Sequence, residues 1–406
     1  MFSRKICVVG LGYIGLPTAA LLASNNYLVL GVDIDPKVVD TINKGQIHIV
    51  EPQLETYVKN AVADKLLTAS LQVSPSDIYM ICVPTPFHPS QAIPEPDIGY
   101  VLAAARSIAP FLKKGNLVIL ESTSPVGTTA RIAEEFLKLG VDIDAIDIAY
   151  CPERVLPGKI MSELVSNDRI IGGLTPEATE KVAEFYETFV SGEVLRTDAA
   201  TAEMCKLTEN SFRDVNIAFA NELSLICDRE GIDVWKLIDL ANHHPRVNIL
   251  QPGPGVGGHC IAVDPWFIVS RNPEDSKIIK LARETNDGKT NWVIERIDIA
   301  ARRLREQGVE PVIACLGLAF KPDIDDLRES PSARIAEMLV AKGHSVLAVE
   351  PNISVHASLE LATIDEALAR ANIFAILVKH QSFMANGVKQ KLKDKGALDF
   401  CGLIFP

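Results

Sequence analysis

The sequence predicts an α/β protein: two Rossmann-like, doubly wound domains joined by a long helix and a helical middle domain. Three observations carry that expectation. Short β-branched runs alternate with helical stretches over the first half and again over the last hundred residues, the pattern of βαβ units and parallel sheets. A glycine fingerprint stands between the first strand and the first helix. Residues 198–231 contain no internal glycine or proline and read as one long helix, with Asp198 as its N-cap and Gly231 just past its end. Domain divisions are expected at 1–197, 198–305 and 306–406, since 406 residues are too many for one ordinary core.

The opening "KICVVGLGYIGLPTAALLASNNYLVLGVDID" runs from strand through glycines into helix and on to a second strand. Gly10, Gly12 and Gly15 make G-x-G-x-x-G, with Tyr13 and Ile14 inside it. Glycine lets backbone approach a pyrophosphate, and the helix N-terminus supplies N–H donors. A plain tight turn is the bland alternative. Asp33 stands eighteen positions past Gly15, where a carboxylate can accept from a ribose 2′-hydroxyl. Ile34 and Asp35 follow, with no arginine for a 2′-phosphate, so NAD is expected rather than NADP.

"DIYMICVPTP", "GNLVILESTSPVGTTARIAEEF" and "IDIAYCPERVLPG" continue the alternation. They set Thr85, Thr123 and Glu153 at the carboxyl edge of the sheet, where open α/β folds bind ligands. Each alone also suits a cap or a turn. In the long helix, Lys206, Asn210 and Arg213 share a face by their spacing of four and three. That face lines a site or is a solvated stripe. Met204, Leu207, Phe212, Ile217, Phe219 and Leu223 around it suggest a largely packed helix, and a surface for dimer formation.

"PVIACLGLAFKPDIDDLRESPSARIAEMLVAKGHSVLAVEP" repeats the opening plan, with Glu350 closing its second strand and "GLAFKP" in place of "GLGYIG". A second dinucleotide held in the same way is not expected. Lys321 and Arg328 in its first loop suit phosphate or ribose contacts.

Eight cysteines stand at 7, 82, 151, 205, 227, 260, 315 and 401, with no C-x-x-C unit. That argues against a compact zinc site and a secreted disulfide framework, and a reducing cytoplasm is expected. The apolar start lacks a small-residue cleavage site and is read as mature protein. A formal net charge of −12 gives no support for nucleic-acid binding. No uninterrupted apolar run approaches the ~18 residues of a membrane span. Cys260 is the unusual thiol, directly after a glycine run in "GPGVGGHCIAVDP" and four residues before Asp264. It reads as an inert turn cysteine or as a nucleophile. Beside an NAD site, a thiolate can add to an aldehyde so that a second hydride leaves and a thioester results. Gly257 and Gly258 would then let substrate lie against main chain, and Asp264 and Lys206 would manage protons or charge.

Taken in order, "GLGYIG", "VPTP", "ESTSPVGT", "CPERVLPG", "KLTEN", "GPGVGGHCIAVDP" and "LAFKPDIDDLRESP" resemble the nucleotide-sugar 6-dehydrogenases over essentially the whole chain. The resemblance implies an N-terminal NAD-binding domain, a helical middle that forms the dimer, and a C-terminal domain for UDP. It implies oxidation of a C6 alcohol to a carboxylate with two NAD per sugar. Cys260 matches the nucleophile, with Lys206, Asn210 and Asp264 as acid–base and water-handling partners. Thr123 and Glu153 match positions flanking the reacting carbon. Gly10 to Gly15, Asp33, Thr85, Thr123 and Arg328 match NAD contacts. Phe320 and Lys321 match sugar-nucleotide contacts, and Arg246 an arginine that reaches substrate across a homodimer. Glu153, Arg154, Val155, Lys206, Asn210, Arg213, Gly257 and His259 complete the expected substrate contacts.

Within the family, "HPRVNILQPGPGVGGHCIAVDPWF" looks most like the branch acting on UDP-N-acetyl-D-mannosamine for surface polysaccharide; the UDP-N-acetylglucosamine branch is next, then UDP-glucose. His243, His244 and His259 have no carboxylate or cysteine at ligand spacing, so no metal is expected. A regulatory NAD-binding protein without turnover is the reading from a different class, and every matched chemical residue being present argues against it.

Overall fold

The computed structural model describes residues 4–88, 93–258, 260–385 and 387–405. The chain forms two compact units, residues 1–208 and 209–406.

The first unit is built on an eight-stranded sheet: β1 (Lys5–Val9), β2 (Leu28–Val32), β3 (Leu67–Ser70), β4 (Ile78–Ile81), β5 (Leu117–Leu120), β6 (Asp147–Tyr150), β7 (Arg169–Gly173) and β8 (Val194–Asp198). Their spatial order is β3-β2-β1-β4-β5-β6-β7-β8. Strands β1 to β6 are parallel, β7 runs antiparallel to β6, and β8 is parallel to β7. The order reverses at β1 and β4, the switch point where such sheets take a ligand at their carboxyl ends. Successive side chains of a strand point to opposite faces. Ile6 and Val8 accordingly join one apolar cluster with Leu16, Ala20 and Val182, while Cys7 and Val9 join the other with Val101, Ile132 and Phe136. Helices therefore cover both faces, as a doubly wound sheet requires.

The second unit carries a four-stranded parallel sheet of β9 (Val312–Leu316), β10 (Ser345–Val349), β11 (Ile373–Ile376) and β12 (Leu398–Asp399), in the order β10-β9-β11-β12. The two sheets open alike: the Gly10 amide donates to Val32 O and the Gly317 amide to Val349 O, each at 2.8 Å. Both glycines have φ of +91°, a region closed to most side chains.

The long helix spans Ala199–Glu230 and faces the helix Lys277–Glu306 within the second unit from Glu209 on. Asp198 caps it, its Oδ1 accepting from the Thr201 amide at 2.9 Å. The expectation of a helix packed by its apolar residues holds for Leu207, with Ile217 and Leu223 half-buried, and fails for the others. Met204, Phe212, Phe219 and Ile226 are exposed, Phe212 at 67%. Polar residues take the inner face instead: Asp214, Asn221 and Ser224 are buried and bonded to, or one bond from, Arg283, Asn286 and Lys289. Among the described residues no helix is long and apolar enough to cross a membrane.

Candidate active site

The glycines of the first unit divide by what surrounds them. A Cβ on Gly10 would lie 2.7 Å from Cys82 O, and one on Gly15 only 1.8 Å from Gly10 O. Those two glycines are demanded by the close packing of the loop after β1 against the loop after β4. A Cβ on Gly12 would meet no protein atom within 4 Å. It would project into the cradle at the start of the helix Gly15–Ser24, whose N-cap Ile14 offers no side-chain acceptor. Tyr13 lies partly exposed beside it. The donor set and the open side at Gly12 fit a pyrophosphate on that helix terminus. Asp33, just past β2, accepts from the Leu11 amide at 2.9 Å through Oδ2 and from the Asp35 amide at 3.0 Å through Oδ1. An ionised carboxylate has about four acceptor sites, so two remain for a ribose diol.

The next loops at this sheet edge are tied together. The Thr85 hydroxyl donates to Thr123 O at 2.6 Å. The loop after Thr123 is held by Glu203 of the long helix, a fully buried carboxylate that accepts from the amides of Gly127 and Thr129 and from the Thr129 hydroxyl. Lys206, one turn on, donates Nζ to Glu153 O at 2.7 Å. Lys206 and Glu153 thus meet through the Glu153 backbone, and the Glu153 side chain points to Arg169 instead, Oε2 to Nη1 at 2.8 Å. Arg169 opens β7 and is 1% exposed. Burial acts to lower its pKa, but Glu153, Cys151 and Tyr186 beside it outweigh that and raise it.

Behind this pair lies Glu121, also buried. Its carboxylate accepts from Tyr186 OH at 2.6 Å and from the Cys82 thiol at 3.2 Å. Burial and the Glu153 charge push its pKa up. Neither Glu121 nor Arg169 stood out in the sequence. A lone arginine opening the apolar run "RIIGG" was the available signal. Arg154 donates Nη1 to Asp168 O at 3.1 Å, and Val155 packs partly into the core.

In the second unit, Cys260 is the exposed thiol among the eight cysteines. Burial pushes Cys7, Cys151 and Cys315 up to about 12, which keeps them protonated near neutral pH. Cys260 O accepts from the Val263 and Asp264 amides, forming the turn that enters the helix Asp264–Arg271. Asp264 is 3% exposed and accepts from Asn210 Nδ2 at 2.5 Å. Of the stripe Lys206-Asn210-Arg213, Lys206 is half-buried, Asn210 is buried and Arg213 is exposed.

The glycines before Cys260 are closely packed by another loop. A Cβ on Gly257 would meet Glu329 O at 2.5 Å and Phe320 Cβ at 2.8 Å, and one on Gly258 the Phe320 ring at 2.9 Å. What presses on these glycines is protein. Phe320 therefore packs on the cysteine loop, its own amide donating to Asp326 O at 3.2 Å. Arg328 forms a fork with Asp326, Nη2 to Oδ2 at 2.6 Å. Lys321 is half-buried, and Arg246 is exposed with its amide on His244 Nδ1. His259 lies outside the described residues. Among those described, no group of three or more metal-ligating side chains forms a metal site. Glu350 mirrors Asp33 but is turned inward: Oε2 accepts from the Leu318 and Ala319 amides and from His380 Nε2, at 2.8, 3.0 and 3.0 Å. Burial acts to raise its pKa, and those bonds hold it below the usual range.

The first unit has the cradle, the switch point and the ribose-facing acid of the NAD-dependent oxidoreductases. The chain belongs to the UDP-glucose/GDP-mannose dehydrogenase family, whose NAD binding domain matches residues 4–190, central domain residues 200–288 and UDP binding domain residues 314–406. Its cofactor is NAD and its substrate a UDP-sugar. The UDP-N-acetyl-D-mannosamine dehydrogenase of Escherichia coli (strain K12) is 56% identical over 403 residues, covering 94% of this chain and 95% of that one. The NDP-N-acetyl-D-galactosaminuronic acid dehydrogenase of Ralstonia nicotianae is 55% identical over 394 residues, covering 94% and 92%. The solved UDP-N-acetyl-mannosamine dehydrogenase from S. aureus superposes with a TM-score of 0.88 at 41% identity, covering 99% of this chain and 96% of that one.

Proposed function

We propose that this chain oxidises the C6 alcohol of UDP-N-acetyl-D-mannosamine to the carboxylate, with Cys260 as covalent nucleophile. The observation that carries the reading is the turn at Cys260: an exposed cysteine whose carbonyl starts the helix headed by Asp264, which is buried against Asn210 of the long helix. NAD, when bound, would supply the hydride acceptor, one NAD for the alcohol and a second NAD for the covalent adduct. The Cys260 thiolate adds to the aldehyde carbon, giving a thiohemiacetal whose oxidation leaves a thioester. Water attacks the acyl carbon, the C–S bond breaks, and thiolate and carboxylate part.

Lys206, Asn210 and Asp264 are assigned the acid–base and water-handling roles, with the Lys206 charge on the oxyanion of the adducts. Thr123 and Glu153 are assigned to the reacting carbon, Gly12, Asp33 and Thr85 to NAD, and Phe320, Lys321 and Arg246 to the sugar nucleotide. The family resemblance supports these roles. For Arg328 the fork with Asp326 must open, or be shared, if it is to reach NAD. A homodimer is supported by the exposed stripe Phe212, Phe219 and Ile226, spaced by seven along the long helix. The role is in surface-polysaccharide synthesis, in the cytoplasm, where the thiols stay reduced.

The test is an assay of UDP-N-acetyl-D-mannosamine, its gluco epimer, UDP-N-acetylgalactosamine and UDP-glucose side by side, with NADH counted against product. Two NADH per sugar and highest kcat/KM for the manno sugar are expected. One NADH per sugar sinks the thioester route. Preference for the galacto sugar moves the substrate to that of the Ralstonia relative's namesake product.

A further inference from the structure

We infer that a buried polar chain between two helices of the second unit, Arg283–Asp214–Asn286–Asn221, acts with Thr290 to position the loop that carries Cys260. The inference rests on the reading of Cys260 as nucleophile.

The chain can be followed bond by bond. Arg283 Nη1 donates to Asp214 Oδ1 at 2.7 Å, and Asn286 Nδ2 donates to the same oxygen at 2.8 Å. Asn221 Nδ2 donates to Asn286 Oδ1 at 2.8 Å. Asn221 Oδ1 then accepts from the Gly253 amide at 2.9 Å, where the helix network meets the loop. One residue on, Thr290 Oγ1 donates to Pro254 O at 3.0 Å. Asp214, Asn221 and Asn286 have no exposed surface, Arg283 has 2% and Thr290 has 4%. Gly255 is pressed so closely on Thr290 that a Cβ there would lie 2.6 Å from Oγ1.

The loop is thereby held at three places. Asn221 and Thr290 grip Gly253 and Pro254, Phe320 covers Gly257 and Gly258, and Asn210 holds Asp264 just past the thiol. Cys260 lies between the second grip and the third. Stability does not ask for such an arrangement: a buried charged pair is seldom worth more than apolar packing of equal volume. Here Arg283 Nε and Asp214 Oδ2 are buried without a hydrogen-bond partner among the described residues. What the chain does provide is direction, because each amide has one donor end and one acceptor end and fixes the next. A misplacement near 1 Å at a reacting atom costs about a hundredfold in rate.

Thr290→Val keeps the branched shape and removes the bond to Pro254 O; Thr290→Ser restores the hydroxyl. The valine variant should lower kcat at least about tenfold, leave both KM values within about threefold, and change the Cys260 alkylation rate by iodoacetamide, read on its peptide by mass spectrometry. The serine variant should recover most of both. Unchanged kcat and unchanged alkylation in a folded valine variant would overturn the inference. In the unaltered protein, the Gly253 amide should exchange with solvent as slowly as the core of the long helix, and exchange at open-loop rates would overturn it even if the valine variant fails to fold. Cys260→Ala separates the two claims. Full turnover in that variant removes the nucleophile, while the exchange result still decides whether the loop is clamped.

Discussion

Asn210 donates to Asp264 across 2.5 Å, and both side chains are buried. With its Nδ2 spent on Oδ2, the amide fixes the orientation of the Asp264 carboxylate at the head of its helix.

Asp264→Asn should leave NAD and UDP-sugar binding nearly unchanged and lower kcat by about a hundredfold or more, the usual worth of a positioned acid or base. Asn210→Asp should be worse than its size suggests, because two carboxylates at this distance must share a proton. Steady-state kinetics of the two variants check this; a loss confined to KM would show that the pair only binds.

The glycine cradle predicts a separation of folding from binding. Gly12→Ala should fold with near wild-type melting temperature yet lose NAD affinity by about tenfold or more, since its methyl meets no protein and intrudes where a pyrophosphate lies. Gly15→Ala, with 1.8 Å to Gly10 O, should destabilise the first unit itself. Calorimetry on the pair decides; equal melting losses would remove the cradle argument.

Arg169→Met should cost about 3–5 kcal/mol of stability, because it strands the Glu153 carboxylate, 6% exposed, without its counter-charge. The double variant Arg169→Met with Glu153→Gln should recover part of that loss. Urea unfolding measures both, and a single-variant loss under about 1 kcal/mol would mean that the pair is not energetically coupled.

Lys289 gives a pH signature. It is 3% exposed, lies 3.9 Å over the Trp292 ring, and donates to Ser224. Burial lowers its pKa from 10.5 to about 7, against a smaller upward pull from Asp228. The folded pKa is depressed, so between about 7 and 10.5 the unfolded chain binds a proton that the folded chain does not. Stability should rise with pH across that window, by up to about 1.4 kcal/mol per unit, with the full penalty present below it. Lys289→Met should flatten the rise. Denaturant midpoints at pH 7, 8 and 9 (about those values suffice) test the slope difference; identical slopes would contradict it.

Local signals carried much of this structure. The glycine fingerprint, Asp33 after β2 and the Asp198 cap depend on neighbours within one βαβ unit or one helix turn, and each is where its spacing puts it. The inner face of the long helix was harder. Asp214, Asn221 and Ser224 repeat at helical spacing, but only their partners on a helix some seventy residues later make burial of that face tolerable. Phe212 and Phe219 looked like core for the same reason. Gly257 and Gly258 advertised close approach without naming what approaches, and Phe320 supplies it from another loop. Arg169 is legible only once β7 is known to lie beside β6, and Glu121 only once Cys82 and Tyr186 are known to meet it.

The inward turn of Glu350 limits how this chain can be inhibited. Two βαβ openings share one backbone plan, yet only Asp33 stays half-open to solvent, while Glu350 is committed to its own loop and to His380. An adenosine mimic built to grip a carboxylate through its diol should therefore saturate at one molecule per chain, by isothermal titration. Any compound aimed at the second sheet must be drawn to other handles than its acid, and the two kinds of ligand should not compete.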